Sequence, residues 1–194
     1  MGNKVRDFFD SIADQWTNEL DDVNKIKSLI DVLGIESGDD VLDVGCGKGI
    51  ITPFLYEKSQ SKVIAMDLSP NMIRGAIEAH GDKSDMQFIC GDFLESGFNN
   101  QFDYIVIFNA YPHFIDVEKL RDTVYTALKP NGHFAIIHSI SKEELNTHHK
   151  QHAMGVSRPL EAASIEAKKF DQKFEVEKTI DKKDRYLIIL GKRQ

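Results

Sequence analysis

Three closely spaced glycines and a nearby acid form the pattern with the clearest chemistry in this chain. Residues 41–50 read VLDVGCGKGI, an apolar stretch that predicts a short buried strand before the glycines. Gly45, Gly47 and Gly49 allow the backbone to turn sharply and to approach a ligand closely. A helix is expected next, so its free N–H groups would point at whatever the loop holds. A carboxylate at Asp43 suits a ligand with an ammonium group and would repel a pyrophosphate.

Two later strands also end in acids. Residues 62–67 read KVIAMD, and an acid such as Asp67 at the end of the second strand hydrogen-bonds ribose hydroxyls in doubly wound α/β domains. Residues 86–93 read MQFICGDF, a predicted strand followed by Asp92 and an aromatic ring. The glycines are spaced G-x-G-x-G, one residue shorter than the G-x-G-x-x-G of dinucleotide sites, which argues against NAD.

In combination these segments resemble motif I and its companion segments in the class I S-adenosylmethionine (SAM) dependent methyltransferases. The resemblance implies a Rossmann-like, doubly wound α/β fold in one domain, 1–194, with a seven-stranded, mostly parallel sheet and an antiparallel C-terminal strand. It implies SAM as the cofactor and methyl transfer as the reaction. The residues that it implies for cofactor binding are Asp43, Gly45, Cys46, Gly47, Gly49, Asp67, Leu68, Met72, Asp92, Phe93 and Asn109.

The N-terminal segment has apolar residues at helical spacing. Val5, Phe8, Phe9, Ile12 and Trp16 predict a helix over 3–17, and a second helix begins near Val23 and stops at Gly34. The stretch FFDSIADQW resembles the segment that covers cofactor and acceptor in the methyltransferases of ubiquinone and menaquinone biosynthesis. Residues 1–33 are therefore interpreted as a helical cap, with Trp16 as a substrate contact. Simple packing of its aromatic rings on the core is the alternative.

The remaining pattern alternates helices and strands. Ser69 and Pro70 predict a helix start and Gly81 its end, and Asp116 is expected to cap another helix. The other predicted elements are strands at 40–45, 102–108 and 133–140, a helix at 158–170, and a terminal hairpin of 174–180 and 185–190.

Five of the seven histidines follow the fourth and fifth strands, where an acceptor would bind. His113 follows strand four, close to Asn109 and Tyr111, in a stretch that departs from the motif of amino-methylating DNA enzymes and so argues against a flipped base. His138 ends strand five. After it a capping box, 141–144, starts a helix on which Leu145, His148, His149 and His152 share one face.

Three interpretations of these histidines stay open. The helix is a solvated or packing surface, or it carries a substrate-binding or general-base face, or His148 and His152 hold a metal with His138 or His113. No thiolate or carboxylate pattern supports the metal. The catalytic candidates are His113, His138 and His149, and the substrate candidates are Trp16, Tyr111, His113, His148 and His152. Residues 147–159 form a possible lid over the acceptor.

The composition and net charge of the chain indicate which classes of substrate it could bind. The chain has 194 residues, a formal charge of −7 and a pI of about 5.5, which disfavours a nucleic-acid substrate. No apolar run is long enough to span a membrane, no signal peptide is recognisable, and two cysteines form no disulfide framework. We therefore expect a cytoplasmic enzyme acting on a small molecule, of undetermined oligomeric state. The alternatives are a methyltransferase for protein or RNA and a non-catalytic SAM-binding partner subunit.

Overall fold

The computed structural model describes residues 3–16, 22–81 and 84–194. In this part of the chain the strands form a seven-stranded sheet in the order β3-β2-β1-β4-β5-β7-β6, and β7 is antiparallel to its neighbours. The predicted α/β class and mixed sheet are confirmed. The strands are β1 Val41–Val44, β2 Val63–Asp67, β3 Met86–Cys90, β4 Phe102–Phe108, β5 Leu128–His138, β6 Phe174–Lys182 and β7 Arg185–Lys192. The helices are α1 Lys4–Ile12, α2 Val23–Asp31, α3 Thr52–Ser59, α4 Pro70–His80, α5 Val117–Ala127, α6 Lys142–His152 and α7 Ala163–Lys168.

The chain divides into two compact units, 1–96 and 97–194. In unit 1, β2 pairs in parallel with both β1 and β3. Every residue of β1 is buried, which explains why its sequence shows no polar alternation and makes the charged Asp43 within it exceptional. The side chain of Ser69 accepts from Met72 N–H at the start of α4, as its sequence predicts.

In unit 2, β5 pairs in parallel with β4 and antiparallel with β7, and β6 completes the terminal hairpin with β7. Strand β5 begins earlier than predicted, because Leu128 already pairs with Phe102. The next pair joins Tyr104 to His133, so residues 129–132 are accommodated as an irregularity within the strand. Strand β5 also ends two residues early, at His138.

Two predicted helices are shorter than expected. The first ends at Ile12 and continues as a single 3-10 turn over Ala13–Gln15, while residue 17 lies outside the described residues. The helix predicted over 158–170 occupies only Ala163–Lys168. The reason is that the side chain of Asn146 accepts from Leu160 N–H at 2.8 Å and donates to Leu160 O at 2.9 Å. These bonds use the backbone groups that a helix at this position would need.

A buried carboxylate organises the segment that precedes α7. Glu166 is fully buried and forms a bidentate pair with Arg158, whose nitrogens lie 2.8 and 3.1 Å from the two carboxylate oxygens. It also accepts from the Tyr111 hydroxyl at 2.8 Å and pairs with Lys169 at 3.1 Å. Burial alone raises the pKa of Glu166, but the bonds and charge of Arg158 outweigh burial and leave that pKa below its ordinary value.

Within the described part of the chain, each helix is too short or too polar to cross a bilayer.

Replacing Glu166 by Ala should lower the free energy of unfolding by about 3–5 kcal/mol, because Arg158 would remain buried without its partner. The matched control is Glu161→Ala, which removes a half-exposed carboxylate that pairs with the same Lys169 and should cost far less. Urea denaturation of both variants measures the difference. Equal losses would contradict a central role for Glu166.

Candidate functional site

The glycine loop after β1 adopts a backbone that only glycine accepts easily. Gly45, Gly47 and Gly49 have φ angles of +71°, +55° and +78°. The N–H groups of Gly45 and Cys46 donate to Met66 O at 2.8 and 3.1 Å, which holds the start of the loop against the end of β2. A Cβ on Gly47 would meet no atom within 4 Å, so the loop backbone at this position faces open space.

Asp67, at the end of β2, secures the loop from the other side. Its Oδ2 accepts from Gly47 N–H at 2.9 Å, and its Oδ1 accepts from Ser69 N–H at 2.8 Å. Burial raises the pKa of Asp67 above its ordinary value, because it outweighs these backbone hydrogen bonds. The sequence predicted a ligand-binding acid here, and the structure adds that the same carboxylate shapes the glycine loop.

Asp43 is completely buried in β1, yet its carboxylate is only half satisfied. Oδ2 accepts from Thr52 Oγ1 at 2.7 Å, whereas Oδ1 has no hydrogen-bond partner among the described residues. Burial raises the pKa of Asp43 to about 7; the Thr52 bond opposes the rise and the charge of Asp67 adds to it. An acid of this kind is ready to take up a cationic group.

The other cofactor residues predicted in unit 1 differ in burial and in hydrogen bonding. Cys46, Met72 and Phe93 are buried, and burial raises the pKa of the Cys46 thiol. Leu68 is half-buried and follows Asp67 directly. Asp92 caps a short 3-10 turn by accepting from Leu94 N–H at 2.9 Å, as a loop carboxylate often does. A role in binding adenine stays a prediction for Asp92 and Phe93.

The N-terminal segment is tied to this region at two points. Asp10 Oδ1 accepts from Ser69 Oγ at 2.6 Å and from Asn71 N–H at 3.0 Å, so α1 supplies a carboxylate to the N-terminus of α4. The Lys48 ammonium of the glycine loop donates to Trp16 O at 2.8 Å. The Trp16 ring itself is 42% exposed. The sequence pattern predicted neither contact, because helical spacing does not show which side chains meet residues that are distant in sequence.

In unit 2, the chain after β4 is held by polar contacts. Asn109 has a φ of +54°; its side chain accepts from Ser139 N–H at 3.0 Å and donates to Ser139 Oγ at 3.1 Å. Tyr111, predicted to contact substrate, is fully buried with its hydroxyl bound to Glu166 and the Arg158 guanidinium 4.4 Å from its ring centre. Its visible role is therefore structural.

Three of the predicted histidines come together in unit 2. His138 is completely buried at the end of β5, and His149 is buried on α6. The ring centres of His149 and His113 are 5.0 Å apart, and His113 Nδ1 lies 2.9 Å from Val156 O, which requires a proton on that nitrogen. We call His113, His138 and His149 the histidine cluster.

The histidine cluster is strongly desolvated. Burial, with smaller contributions from the charges of His149, His113 and Arg158, lowers the pKa of His138 to about 3. Burial likewise lowers the pKa of His149 to about 4 and that of His113 below its ordinary value. At neutral pH these imidazoles are uncharged, so each offers one hydrogen-bond donor and one acceptor.

The other two histidines of α6 lie apart from the cluster. His148 and His152 are exposed, with ring centres 4.8 Å apart, so the predicted face divides into a buried stripe of Leu145 and His149 and an exposed pair. In the described residues no group of three or more His, Cys, Asp or Glu side chains is placed to hold a metal ion. The combination of His148 and His152 with His138 or His113 is therefore not assembled.

Removing the Asp10 carboxylate should loosen the N-terminal segment. We expect Asp10→Ala to increase amide hydrogen exchange over residues 4–16 and to change Trp16 fluorescence, because α1 loses its bonds to Ser69 and Asn71. Asp10→Asn keeps an acceptor oxygen and should have a smaller effect.

The matched control for this experiment is Asp7→Ala on the same helix, which removes an exposed carboxylate paired with neighbouring Arg6. Exchange in 4–16 that is the same in Asp10→Ala as in the unaltered protein would show that α1 is held by its apolar contacts alone.

Comparison with known proteins agrees with this geometry. Residues 41–132 match the family model of a methyltransferase domain. Over 108 residues the chain is 30% identical to malonyl-[acyl-carrier protein] O-methyltransferase of Acetivibrio thermocellus and, over 108 residues, 36% identical to phosphoethanolamine N-methyltransferase 3 of Arabidopsis thaliana. These matches cover 54% and 55% of this chain but only 38% and 22% of those proteins, so the chain spans well under half the length of either.

Solved structures give the same fold. A chain from the complex of the Haloferax volcanii Trm112 methyltransferase activator with a methyltransferase superposes with a TM-score of 0.82 at 21% identity, covering 98% of both chains. The matched family model contains the glycine loop, Asp43, Asp67 and Asp92, which are the residues that carried the resemblance in the sequence. Residues 41–132 of this chain therefore form a methyltransferase domain, as the resemblance to the class I S-adenosylmethionine-dependent methyltransferases implied.

Proposed function

We propose that this chain transfers the methyl group of SAM to a small-molecule acceptor by direct in-line displacement. The observation that carries the proposal is the pair of carboxylates beside the glycine loop. Asp43 is buried with one oxygen unpaired, and Asp67 is half-buried and fastened to Gly47. This donor set fits SAM, which has an ammonium group for a carboxylate and ribose hydroxyls for Asp67.

The roles of the residues follow from their chemistry. SAM, when bound, supplies a methyl group activated by its sulfonium charge. Asp67 accepts hydrogen bonds from the ribose, and Asp43 offsets the charge of the ammonium group. Asp92, Phe93, Leu68 and Met72 are proposed to line the adenine side, and Asn109 to border the methionine end through its backbone. Positioning the nucleophile in line with the methyl group then accounts for much of the rate.

The histidine cluster is proposed to receive the acceptor. His138 and His149 have pKa values of about 3 and 4, which makes them weak bases, so hydrogen bonding to the acceptor suits them better than proton abstraction. His113, whose pKa is lowered less markedly, is the better candidate for a general base.

The segments 1–33 and 147–159 are proposed to act as a cap and a lid that restrict the acceptor to a small molecule. The base of the lid is anchored, because Arg158 N–H donates to Pro112 O at 3.0 Å and its guanidinium binds Glu166. Its tip is exposed at Met154, followed by Gly155 with a φ of +87°. Any closing movement would therefore concern the tip.

The relatives leave two alternatives to test. One solved neighbour comes from a complex with a methyltransferase activator, so the chain can be envisaged as a subunit that works with a protein partner or on a protein or RNA acceptor. The small-molecule proposal draws on the curated relatives that act on small or carrier-bound molecules, and on the net charge of −7. Release of S-adenosylhomocysteine by the purified chain from pooled metabolites, without a partner, distinguishes the two.

Asp67→Ala should weaken SAM binding by about 1.5–3 kcal/mol, because charge-assisted hydrogen bonds to the ribose are lost. The unaltered chain should bind SAM or S-adenosylhomocysteine with a micromolar Kd in calorimetry. The control is Asp85→Ala, which removes an acid in the same unit whose side chain accepts from the Tyr56 hydroxyl at 3.3 Å. Binding of NAD in place of SAM would refute the assignment.

Cofactor affinity should rise with pH through Asp43. The ionised fraction of a group with a pKa of about 7 increases steeply from pH 6 to pH 7.5, and only the ionised form attracts an ammonium group. The Kd of S-adenosylhomocysteine should fall roughly five- to tenfold over this range. Asp43→Asn should bind weakly at both pH values, with the slope abolished. If the Kd of Asp43→Asn still fell with rising pH, the pH dependence would have to come from another titrating group.

The pH dependence that Asp43 gives to folding stability has the opposite sign to the one it gives to cofactor affinity. Because the folded state raises the pKa of Asp43 above its ordinary value, the folded state holds this proton more tightly than the unfolded chain. The contribution of Asp43 to stability therefore declines as pH rises from about 4 to about 7. Thermal unfolding of Asp43→Asn should lack this decline.

A further inference from the structure

Unpaired buried polar atoms concentrate in two places. In the described residues, five buried side-chain nitrogens or oxygens have no hydrogen-bond partner: Asp43 Oδ1, Ser96 Oγ, both ring nitrogens of His138, and Nδ1 of His149. One of the five belongs to Asp43 in β1, beside the glycine loop where the cofactor is proposed to bind. Three belong to the histidine cluster, and that concentration needs its own explanation, because native proteins pair nearly all such atoms.

Packing does not explain the choice of histidine at position 138. His138 is completely buried on β5 and meets Tyr186 of β7 edge-on, with ring centres 5.7 Å apart. A phenylalanine or leucine would fill this position without leaving two nitrogens unpaired. A side chain that costs stability in the folded protein is commonly retained for the ligand that it binds.

We propose that His138 and His149 bind an uncharged hydroxyl group, phenolic or alcoholic, of a small ligand. The site deepens the proposed function, since this ligand would be the methyl acceptor. A hydroxyl both donates and accepts, so it can meet one N–H and one lone pair of two neutral imidazoles. A carboxylate would need the N–H groups of both imidazoles turned toward it, and an ammonium group would need both lone pairs, whereas a hydroxyl fits a pair that presents one of each.

The charges around the cluster support an uncharged ligand. Arg158 is the cation whose charge reaches His138, and its guanidinium is already neutralised by the bidentate pair with Glu166. The titratable groups that face His138 and His149 include His113, His148 and Tyr186. Burial raises the pKa of Tyr186 and keeps its hydroxyl uncharged, and the mutual repulsion of the imidazoles opposes protonation of any of them. The cluster therefore offers hydrogen bonds without net charge to attract an anion.

The test uses the full chain labelled with ¹⁵N-histidine, titrated without SAM. The probes are phenol, cyclohexanol and benzoate, which separate hydroxyl binding from ring binding and from anion binding. We expect saturable shifts of the His138 and His149 ring nitrogens with phenol or cyclohexanol, and at least tenfold weaker binding of benzoate at pH 7.5. No saturable shift with either alcohol, or benzoate binding as tight as theirs, would overturn the proposal.

A substitution series separates binding from packing. His138→Phe should raise the Tm by a few degrees, since it removes two unpaired buried nitrogens, and should abolish the response of His149 to the alcohols. His133→Phe, a partly exposed histidine on the same strand that pairs with Glu177, should do neither. A lower Tm for His138→Phe with an unchanged alcohol response would assign His138 a structural role and overturn the proposal.

A second variant keeps the test decisive if the first one fails to fold. His149→Gln removes the imidazole from the other side of the cluster, where the helix is less enclosed, and should weaken alcohol binding at least tenfold. Unchanged binding in His149→Gln would overturn the proposal. Because these readouts need no cofactor, their failure is distinct from a failure of the proposed function, which SAM calorimetry and S-adenosylhomocysteine release measure separately.

Discussion

The hydrogen bonds that Asp67 accepts from Gly47 and Ser69 organise the cofactor region of unit 1. One carboxylate oxygen holds the glycine loop, and the other receives the N–H of the residue that caps α4. Because Ser69 also donates to Asp10, the same chain of contacts reaches the N-terminal helix. A carboxylate that binds the glycine loop and the start of α4 at once is held in one position, which suits the ribose-binding role proposed for it.

Unit 2 depends on a different buried carboxylate. Glu166 is fully satisfied by Arg158, Tyr111, Lys169 and the Glu161 N–H, so its charge lies within a complete network of donors. Breaking such a network by removing one member leaves the others buried and unpaired. The network has a geometric consequence. Because Arg158 is bound to Glu166, the chain before α7 is fixed, and with it the end of the segment that follows α6.

The two units thus contain two kinds of buried polar group. Glu166 has every oxygen paired, and it serves the fold. Among the described residues, Asp43 and His138 have atoms without partners, and each lies where ligand binding is proposed. The difference is informative because native proteins pair nearly all buried polar atoms, so an unpaired atom calls for an explanation such as a bound molecule. The pKa values agree: burial raises that of Asp43 and lowers that of His138, in each case toward the uncharged form.

The sequence by itself determined most strands, the helix caps and the glycine loop, because each rests on local pattern, and its resemblance to a known family implied the fold class and the mixed sheet. Glycine spacing, strand-end acids and helix caps such as Ser69 and Asp116 act within a few residues of themselves, so they can be read along the chain. The tertiary structure decided which histidines meet. His148 and His149 are neighbours in sequence, yet only His149 is buried, since helix position alone does not say which side the rest of unit 2 covers. It also decided the partners of Asp10, Arg158 and Glu166, which lie far away in sequence or in segments without periodicity. Such contacts are set by how the elements pack, and no local pattern encodes them.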